Sequence, residues 1–512
     1  MINLHVGDAY CVLEPVVPVE VTRFLSYWHK SLRREVDSET GEEYGQLKSS
    51  GEVRKLYHLK EAVHAGTGQL AQTLATMPGF AVPLRNQLEA LGLQFRVIDE
   101  RTKPPVPDNL ERAFAMMRPY QCEGLYTLIQ SRGGIMACPT GYGKSHVLGA
   151  LIAAFSPESL MARGTPLTVV IANSKDVTTK DYHDLVEILP WRKVGIRHSD
   201  MNIESDDIML TTPESSDNVD LESCGLLIYD EAHTITDGRA TSMMRAAKAL
   251  RYGFSATPTG RYDGADKVVT GVCGPIVYRR TYQQAIEDGA VVPIRVCWIE
   301  APKPVAFLSL DTVPKQVAYR AGVWRNEDMH KLAAEILAAL DPETQVLCVV
   351  DKIEHMNHIA PFLPEMTMVH AETSQKSLIK RGFRSVPAMS AKERQIAYNA
   401  FRDNKIKRCI STGIYRTGVN FPNLSVILNL EGLGSEIIAG QLPGRGSRNI
   451  AGKDMAYLVD FWHPWDQVQQ PDGSFKPGFL HRDDMARQRA YAAIGFDQVW
   501  YNNVKQLREG MT

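Results

Sequence analysis

Two short stretches of the chain carry residue types that together can break a phosphoanhydride bond. The first is Ala137-Cys138-Pro139-Thr140-Gly141-Tyr142-Gly143-Lys144-Ser145, which follows an apolar run and opens a helical pattern. Glycines let the backbone approach a polyanion, and the amides of such a loop and of the helix behind it point at phosphate oxygens. Lys144 is placed to neutralise the β- and γ-phosphates, and the Ser145 hydroxyl to hold Mg²⁺. Cys138 stands where the usual pattern has Gly or Ala and is small enough to serve. A plain glycine-rich turn is the alternative, and the order strand, loop, Gly-Lys-Ser, helix weighs against it.

The second stretch is Leu226-Leu227-Ile228-Tyr229-Asp230-Glu231-Ala232-His233, an apolar run that ends in two carboxylates. Asp230 suits Mg²⁺ bound through water, and Glu231 suits a base that orients the attacking water. A solvated acidic turn would explain this stretch equally well if it stood alone. Beside the lysine loop it completes a nucleotide site. Pro139, Thr140, Gly141, Tyr142, Gly143, Lys144 and Ser145 then hold ATP, with Ser145 and Asp230 as the protein's contacts to Mg²⁺.

Such loops must be held by the ends of strands. Between Met117 and Ile286, short β-branched runs at Ile135–Cys138, Leu167–Ala172, Asp207–Thr211, Leu226–Tyr229 and Gly253–Ser255 alternate with helical patterns, which predicts a parallel sheet covered on both faces. The pattern restarts at Gln345–Val350, Met366–His370, Lys407–Ser411, Ser425–Leu430 and Met455–Val459. The fold class is therefore α/β, with two tandem parallel-sheet domains. Residues 1–108 form a small α+β domain that ends in the connector Lys103-Pro104-Pro105-Val106-Pro107. Residues 109–290 are the first sheet domain and 291–465 the second, joined by a linker around Val291–Pro304. Residues 466–512, with a helix near Asp483–Ile494, are an extension packed on the second.

Composition sets outer limits. At 512 residues, with 44% hydrophobic and 23% charged residues, the chain has the make-up of a multidomain globular protein. It has no apolar run long enough to span a membrane and no signal-like start, so membrane association is not expected and a cytoplasmic location is. The eight cysteines show no zinc-like spacing and are read as reduced core residues. A net charge of −2 gives no overall attraction to nucleic acid, so any such binding needs local basic surface.

Asp230-Glu231-Ala232-His233 followed by Ser255-Ala256-Thr257-Pro258 resembles the DEAH box and SAT motif of superfamily 2 helicases. The resemblance implies two RecA-like domains, with His233, Ser255 and Thr257 coupling the nucleotide state to nucleic-acid grip. Arg118-Pro119-Tyr120-Gln121 is similar to the segment whose glutamine, here Gln121, reads adenine. Gln441-Leu442-Pro443-Gly444-Arg445-Gly446-Ser447-Arg448 is similar to motif VI, so that Gln441 joins the coupling group. Arg445 and Arg448, three apart, can both face ATP bound to the first domain, as guanidinium groups that stabilise the transferring phosphoryl. Ser411–Pro422 resembles motif V, which implies a nucleotide contact at Gly418 and a backbone contact at Thr412; Asn420 stands where many relatives have Asp. Thr211-Thr212-Pro213-Glu214 and Asn173-Ser174-Lys175 lie where phosphate-contacting motifs would be, making Asn173, Lys175, Thr211 and Thr212 candidate nucleic-acid ligands.

The segment after the SAT motif, with Arg261, Asp263, Gly271 and Gly274, looks like the branch containing XPB-type and phage UvsW-type helicases. The N-terminal domain, with Leu25-Ser26-Tyr27, a Val53–Leu59 strand, Pro78-Gly79-Phe80 and Phe95–Asp99, is similar to the domain that UvsW-type proteins carry before the motor. That resemblance implies ATP-dependent unwinding and branch migration of forked or junction DNA in phage replication, recombination and repair, within the host cytoplasm. Branched DNA, an RNA–DNA hybrid, and replication or recombination proteins are the partners it suggests. A basic stretch, Gln375–Arg384, places Lys376, Lys380, Arg381 and Arg384 near Phe383 for a strand-junction contact, although a merely solvated loop fits equally well. Lys30, Arg33 and Arg34 offer a second basic stretch. An RNA helicase of the same superfamily, or a clamp that uses ATP only as a switch, remain open alternatives.

Overall fold

The computed structural model describes residues 2–15, 17–36, 43–63, 70–162, 164–259, 265–305, 307, 309, 314–415, 421–433, 443–450 and 452–511. Two compact units emerge. One comprises Met1–Glu35, Gly45–Pro139 and Gly143–Arg280; the other comprises Thr281–Thr512 with the short stretches Val36–Tyr44 and Thr140–Tyr142.

The first unit begins with a five-stranded sheet in the order Tyr57–Val63, Leu70–Thr76, Cys11–Glu14, Ile2–Val6, Phe95–Asp99. Alternation decides its faces: Ile2, Leu4 and Val6 are buried while Asn3 and His5 are only partly so. Leu74, Phe80, Leu84 and Leu88 close the small core. The strand expected at Val53–Leu59 is split, one strand ending at Lys55 and the next starting at Tyr57.

This small sheet is mounted on the first motor sheet by a contact that excludes side chains. A Cβ on Gly79 would lie 2.1 Å from the Thr270 carbonyl oxygen, and one on Gly271 would lie 2.3 Å from Met77 Cε. Lys267, in the same helix Asp266–Cys273, donates to the Ser26 carbonyl at 2.8 Å.

The first motor sheet has eight strands, ordered Met201–Ile203, Val194–His198, Ile208–Thr211, Leu167–Ile171, Cys224–Asp230, Leu250–Ser255, Gly133–Ala137, Ile276–Arg279. All pairs are parallel except the outer hairpin Val194–His198 with Met201–Ile203. Its central strands are buried along their whole length, for instance all of Leu167–Ile171. That is why they read as continuous apolar runs rather than alternating ones. Consecutive parallel strands end on the same edge, and the loops after Ala137, Asp230 and Ser255 gather there.

The second unit is a seven-stranded, all-parallel sheet ordered Thr367–Val369, Arg408–Ser411, Val346–Val349, Val426–Asn429, Ala456–Trp462, Ile294–Glu300, Asp497–Tyr501. Here two expectations need correction. The linker around Val291–Pro304 contains an interior strand, Ile294–Glu300, paired on both sides. The extension from 466 onward supplies the edge strand Asp497–Tyr501 and the helix Phe479–Ile494 as integral parts of the sheet's own layer structure. The physical reason is that Ile294–Glu300 finds its partners far along the chain, as with Arg295 to Asp497 at 2.7 Å, a separation of 202 residues. Local pattern carries no trace of such pairing.

That helix is tied in by a buried ionic network. Arg487 meets both Asp460 oxygens at 3.0 Å and Asp484 at 3.0 Å, while Tyr491 and Asn429 donate to Asp460 at 2.8 and 3.0 Å. The His463 backbone amide donates to Asp484 at 2.6 Å. Trp462, near the aromatic tail, packs edge-on against Trp298, Trp500 and His481. No helix among the described residues is long and apolar enough to cross a membrane. The eight cysteines are all free thiols.

Candidate functional site

The lysine loop leaves the sheet after Ala137 and enters the helix Lys144–Ala153. Gly141 and Gly143 have φ of +92° and +87°, a region that side-chain-bearing residues rarely adopt. At Gly143 a Cβ would also sit 2.5 Å from Gln121 Nε2. Gln121 itself is buried, its Oε1 accepting from the Arg118 amide at 3.1 Å and its Nε2 donating to the Gly143 carbonyl at 3.3 Å. The glutamine therefore both caps its helix and touches the phosphate loop. Lys144 Nζ lies over the strand end, donating to the carbonyls of Cys138 at 3.1 Å and Pro139 at 3.3 Å. Ser145 is partly buried one residue further on, Tyr142 is buried, and Pro139 and Thr140 complete the loop.

Asp230 is the last residue of its strand, and Glu231 turns the chain with φ of +52°. The Asp230 carboxyl is held well above the usual carboxylate range by burial and then by the negative charges of Asp181 and Glu231. Asp181 comes from the helix Lys175–Ile188, and burial raises it too, against the pull of Lys180; its Oδ2 is buried without a hydrogen-bond partner. Lys180 bridges Asp181 at 2.8 Å and Asp184 at 2.9 Å. Sequence reasoning missed Asp181 and Lys180. The available signal was one acidic residue on an otherwise core-facing stripe, Val177, Thr178, Asp181 and Leu185, all buried.

From Glu231 a polar chain runs to the SAT segment. His233 Nδ1 lies 3.4 Å from Glu231 Oε2 and 3.0 Å from Ser255 Oγ, and the Thr257 amide donates to the same Oγ at 3.1 Å. Glu231 Oε2 and Thr257 Oγ1 are buried with no hydrogen-bond partner. Four motif residues from two segments thus share one unbroken string of contacts, from the Glu231 carboxylate through the His233 imidazole and the Ser255 hydroxyl to the Thr257 amide.

The arrangement fits a nucleotide with its Mg²⁺. Two positive-φ glycines form a cradle, and the partnerless Glu231 oxygen is an acceptor with nothing yet to accept. Among the described residues no cluster of three His, Cys, Asp or Glu could hold a metal alone. That suits Mg²⁺, which is commonly bound by one or two protein oxygens plus the substrate's phosphates.

The expected nucleic-acid ligands are placed unevenly. Thr211 is fully buried and its hydroxyl donates to the Arg197 carbonyl at 3.0 Å; Thr212 and Thr412 are also buried. Any phosphate contact at Thr211 would fall to the backbone. Asn173 is partly buried with Oδ1 lacking a partner, and exposed Lys175 reaches Asp200 at 3.2 Å. The basic segment is not a loop throughout: Gln375–Lys380 is helical, with Lys376 and Lys380 exposed and Ser374 capping it. Arg384 is exposed as well, but Phe383 is buried and carries Arg381 over its ring at 4.7 Å, while Arg381 lies 3.5 Å from Glu372. The aromatic expected to stack on a base instead anchors an arginine. Arg445 is buried in the turn Pro443–Arg445, and Arg448 pairs its backbone with Val291. Gly418, Gln441, Arg261 and Asp263 lie outside the described residues, as do the side chains of Lys30, Arg33 and Arg34.

Residues 114–260 match the family model described as "Type III restriction enzyme, res subunit", and residues 328–449 match the "Helicase conserved C-terminal domain". Helicase 22 of Sulfolobus islandicus filamentous virus is 24% identical over 67% of this chain and 64% of its own length. The DNA 3'-5' translocase XPB2 of Sulfurisphaera tokodaii is 23% identical over 66% of this chain and 79% of its own. The chain thus spans less than two thirds of the first of these relatives. Among solved structures, S. cerevisiae Dbp5 bound to Gle1 shares the fold with a TM-score of 0.52 at 14% identity, covering 78% of this chain and 94% of that one. The two parallel sheets are accordingly a tandem RecA-like pair.

Proposed function

The chain belongs to the superfamily 2 helicases, in the branch of XPB and UvsW, and we propose that within it the protein is a DNA translocase that unwinds and branch-migrates forked or junction DNA. As a member of this family it is an ATP-dependent enzyme. The observation that carries the reading is the string Glu231, His233, Ser255, Thr257, which joins the hydrolytic carboxylate to the segment beyond the sheet edge.

In this mechanism Lys144 exchanges its two carbonyl partners for β- and γ-phosphate oxygens, and Gln121 keeps the loop in register while facing the adenine. Ser145 and Asp230 would hold Mg²⁺, whose charge draws the phosphate oxygens together and polarises the γ-phosphoryl. Lys180, paired with Asp181 and Asp184, would limit the repulsion among Asp181, Asp230 and Glu231. Glu231 orients the attacking water and accepts its proton. Gly418 contacts the nucleotide, and Arg445 and Arg448 stabilise charge on the transferring phosphoryl, with Gln441 coupling them to grip. Asn173, Lys175, Thr412 and the backbone at Thr211 and Thr212 hold phosphates of one strand. Lys376, Lys380, Arg381 and Arg384 meet the junction, and the domain at residues 1–108 holds duplex.

The test is a panel of ATPase and unwinding assays with forked, four-way and linear DNA, RNA–DNA hybrid and RNA duplex substrates, using the parent, Arg445→Ala and Arg448→Ala. Fork or junction DNA should stimulate turnover and be unwound in preference to linear DNA. The arginine variants should bind ATP yet turn it over slower by roughly 10³-fold. Stimulation by RNA duplex alone would move the substrate to RNA. Parental turnover in both variants would remove the arginines from the chemistry.

A further inference from the structure

The first unit contains a second concentration of positive charge, on the opposite edge of its sheet from the nucleotide loop. A cavity of about 120 Å³ opens where the small N-terminal domain meets the starts of the strands Gly133–Ala137 and Leu250–Ser255. Arg101, Arg132, Lys248 and Arg251 all line it.

Arg251 is the unusual member. It is buried, and its guanidinium meets only carbonyl oxygens: Ala246 at 2.8 Å, Ala247 at 3.1 Å, and Asp8 at 3.4 and 3.5 Å, with Nε lacking any acceptor. Burial lowers its pKa. A guanidinium taken out of water ordinarily finds a carboxylate, because carbonyl dipoles alone offset little of its desolvation. Here the two nearby carboxylates are already engaged. Asp8 accepts from the Thr102 amide at 3.2 Å, and Asp99 is held by Arg101 at 2.6 Å. Among the described residues Arg132, Lys248 and Arg251 form no ion pair, and against the four cations that line the cavity stand only two carboxylates, Asp8 in its wall and Asp99 on Arg101, which leaves the cavity net positive.

The cavity wall adds a further attraction for anions. Pro78, Gly79, Ala81 and Val82 line it as the first turn of a continuous helical stretch that runs through Ala81–Ala90. Neither Met77 nor Phe80 supplies a side-chain cap there. The positive end of the helix therefore faces the same space as the three unpaired cations. The close glycine contact between Gly79 and the helix of Gly271 fixes that turn against the motor, so the wall is rigid.

We propose that this cavity is a phosphate-binding site, which takes one phosphate group at the seam between the N-terminal domain and the first RecA-like domain. Arg251 and the helix turn form its base, and Lys248 and Arg132 its exposed rim. A bound phosphate supplies the missing negative charge and ties the two domains together. The group can come from a nucleic-acid backbone or from free phosphate, and both present the same oxygens.

The test uses the full chain with its nucleotide loop filled by saturating Mg²⁺ and a non-hydrolysable ATP analogue, whose γ-phosphate occupies the position free phosphate would take there. Inorganic phosphate is titrated against the melting temperature at constant ionic strength, and forked DNA affinity is measured across a salt series. The parent and the double variant Arg132→Ala/Lys248→Ala are compared; both side chains are solvent-facing, so folding is retained. If free phosphate is the source, the parent melts higher with phosphate in a saturable way, and the variant needs about tenfold more. If the backbone is the source, phosphate alone does little, but the variant loses fork affinity and its salt dependence flattens by about one unit of slope. Arg251→Lys, which keeps charge while shortening the donor array, should weaken whichever response the parent shows. Identical phosphate titrations and identical fork affinities in all three proteins overturn the proposal, whatever the ATPase does.

Discussion

Each RecA-like sheet sets an aspartate near the carboxyl end of a buried parallel strand, and the two have opposite surroundings. Asp230 in the first sheet sits among other carboxylates, with Lys180 one residue removed and a partnerless oxygen on Glu231 next to it. Asp460 in the second sheet is saturated, by two bonds from Arg487 and one each from Tyr491 and Asn429. The first is electrostatically incomplete and can gain by taking up a cation. The second has no capacity left, and its contribution is to hold a helix. Residue type is the same and both lie toward the carboxyl end of a strand, Asp230 as its last residue and Asp460 two residues before the end, so compensation by neighbours is the larger difference between the carboxylate assigned to chemistry and the one that packs.

The contrast is most easily broken at Glu231. Glu231→Gln should slow ATP turnover by about 10²- to 10⁴-fold, since an amide cannot accept the water's proton. Its melting temperature should stay close to the parental value, because Oε2 makes no hydrogen bond and only a 3.4 Å contact with His233, which the amide can keep. A steady-state ATPase assay beside a thermal melt checks both halves, and retained turnover would end the catalytic reading of this side of the comparison.

Removing the counter-charge in the second unit should have the reverse signature. Arg487→Met strands Asp460 and Asp484 without their cation, a change expected to cost about 3–5 kcal/mol. Asp230→Asn should cost less than Arg487→Met, because burial and the negative charges of Asp181 and Glu231 already oppose its ionised form. Denaturant unfolding of the two variants is the measurement, and equal destabilisation would erase the distinction.

Acid should separate the units more gently. In the second unit burial lowers His330 to about 4 and depresses His355, its stacked neighbour, with His358 and His370 lowered as well. The unfolded chain takes up these protons below about pH 6.5 and the folded chain resists them. Stability is therefore intact above that pH and falls as pH drops toward 4, by up to about 1.4 kcal/mol per pH unit for His330. In the first unit His198 is lowered as well, but the raised pair Asp181 and Asp230 runs the other way, since their native forms bind protons more readily than the unfolded chain. Hydrogen exchange between pH 7 and pH 5 should show amides of the second sheet deprotected first. Uniform loss across both sheets would contradict the assignment.

What the sequence disclosed follows from the same physics. Phosphate chemistry needs backbone loops of contiguous residues, so Gly141, Gly143, Lys144, Asp230 and Glu231 could be seen without the fold. Continuous apolar runs disclosed five strands of each sheet because both faces are covered there, and missed Val194–His198, Met201–Ile203 and Ile276–Arg279 in the first and Ile294–Glu300 and Asp497–Tyr501 in the second. Contacts made across the chain were hidden. Asp181 reads as one more polar residue until its helix is laid on the sheet, and Arg487 lies 27 residues from the aspartate it holds. Ile294–Glu300 was taken for a linker because its partners are remote. Phe383 looked available for stacking because a short basic segment gives no sign of which side chain turns inward.

The remote pairing of Ile294–Glu300 also bears on how the protein is made. A ribosome delivers the strands of the first motor sheet together, and that sheet can close as soon as Arg279 has emerged. The second sheet has an interior strand that is synthesised first and must wait 202 residues, from Arg295 to Asp497, for the neighbour that covers its outer edge. Throughout that interval an apolar strand with unpaired amides is open to any other nascent chain, the condition under which parallel sheets fold slowly and misassemble. The order of synthesis thus leaves that edge of the second sheet open long after the strands of the first have all emerged.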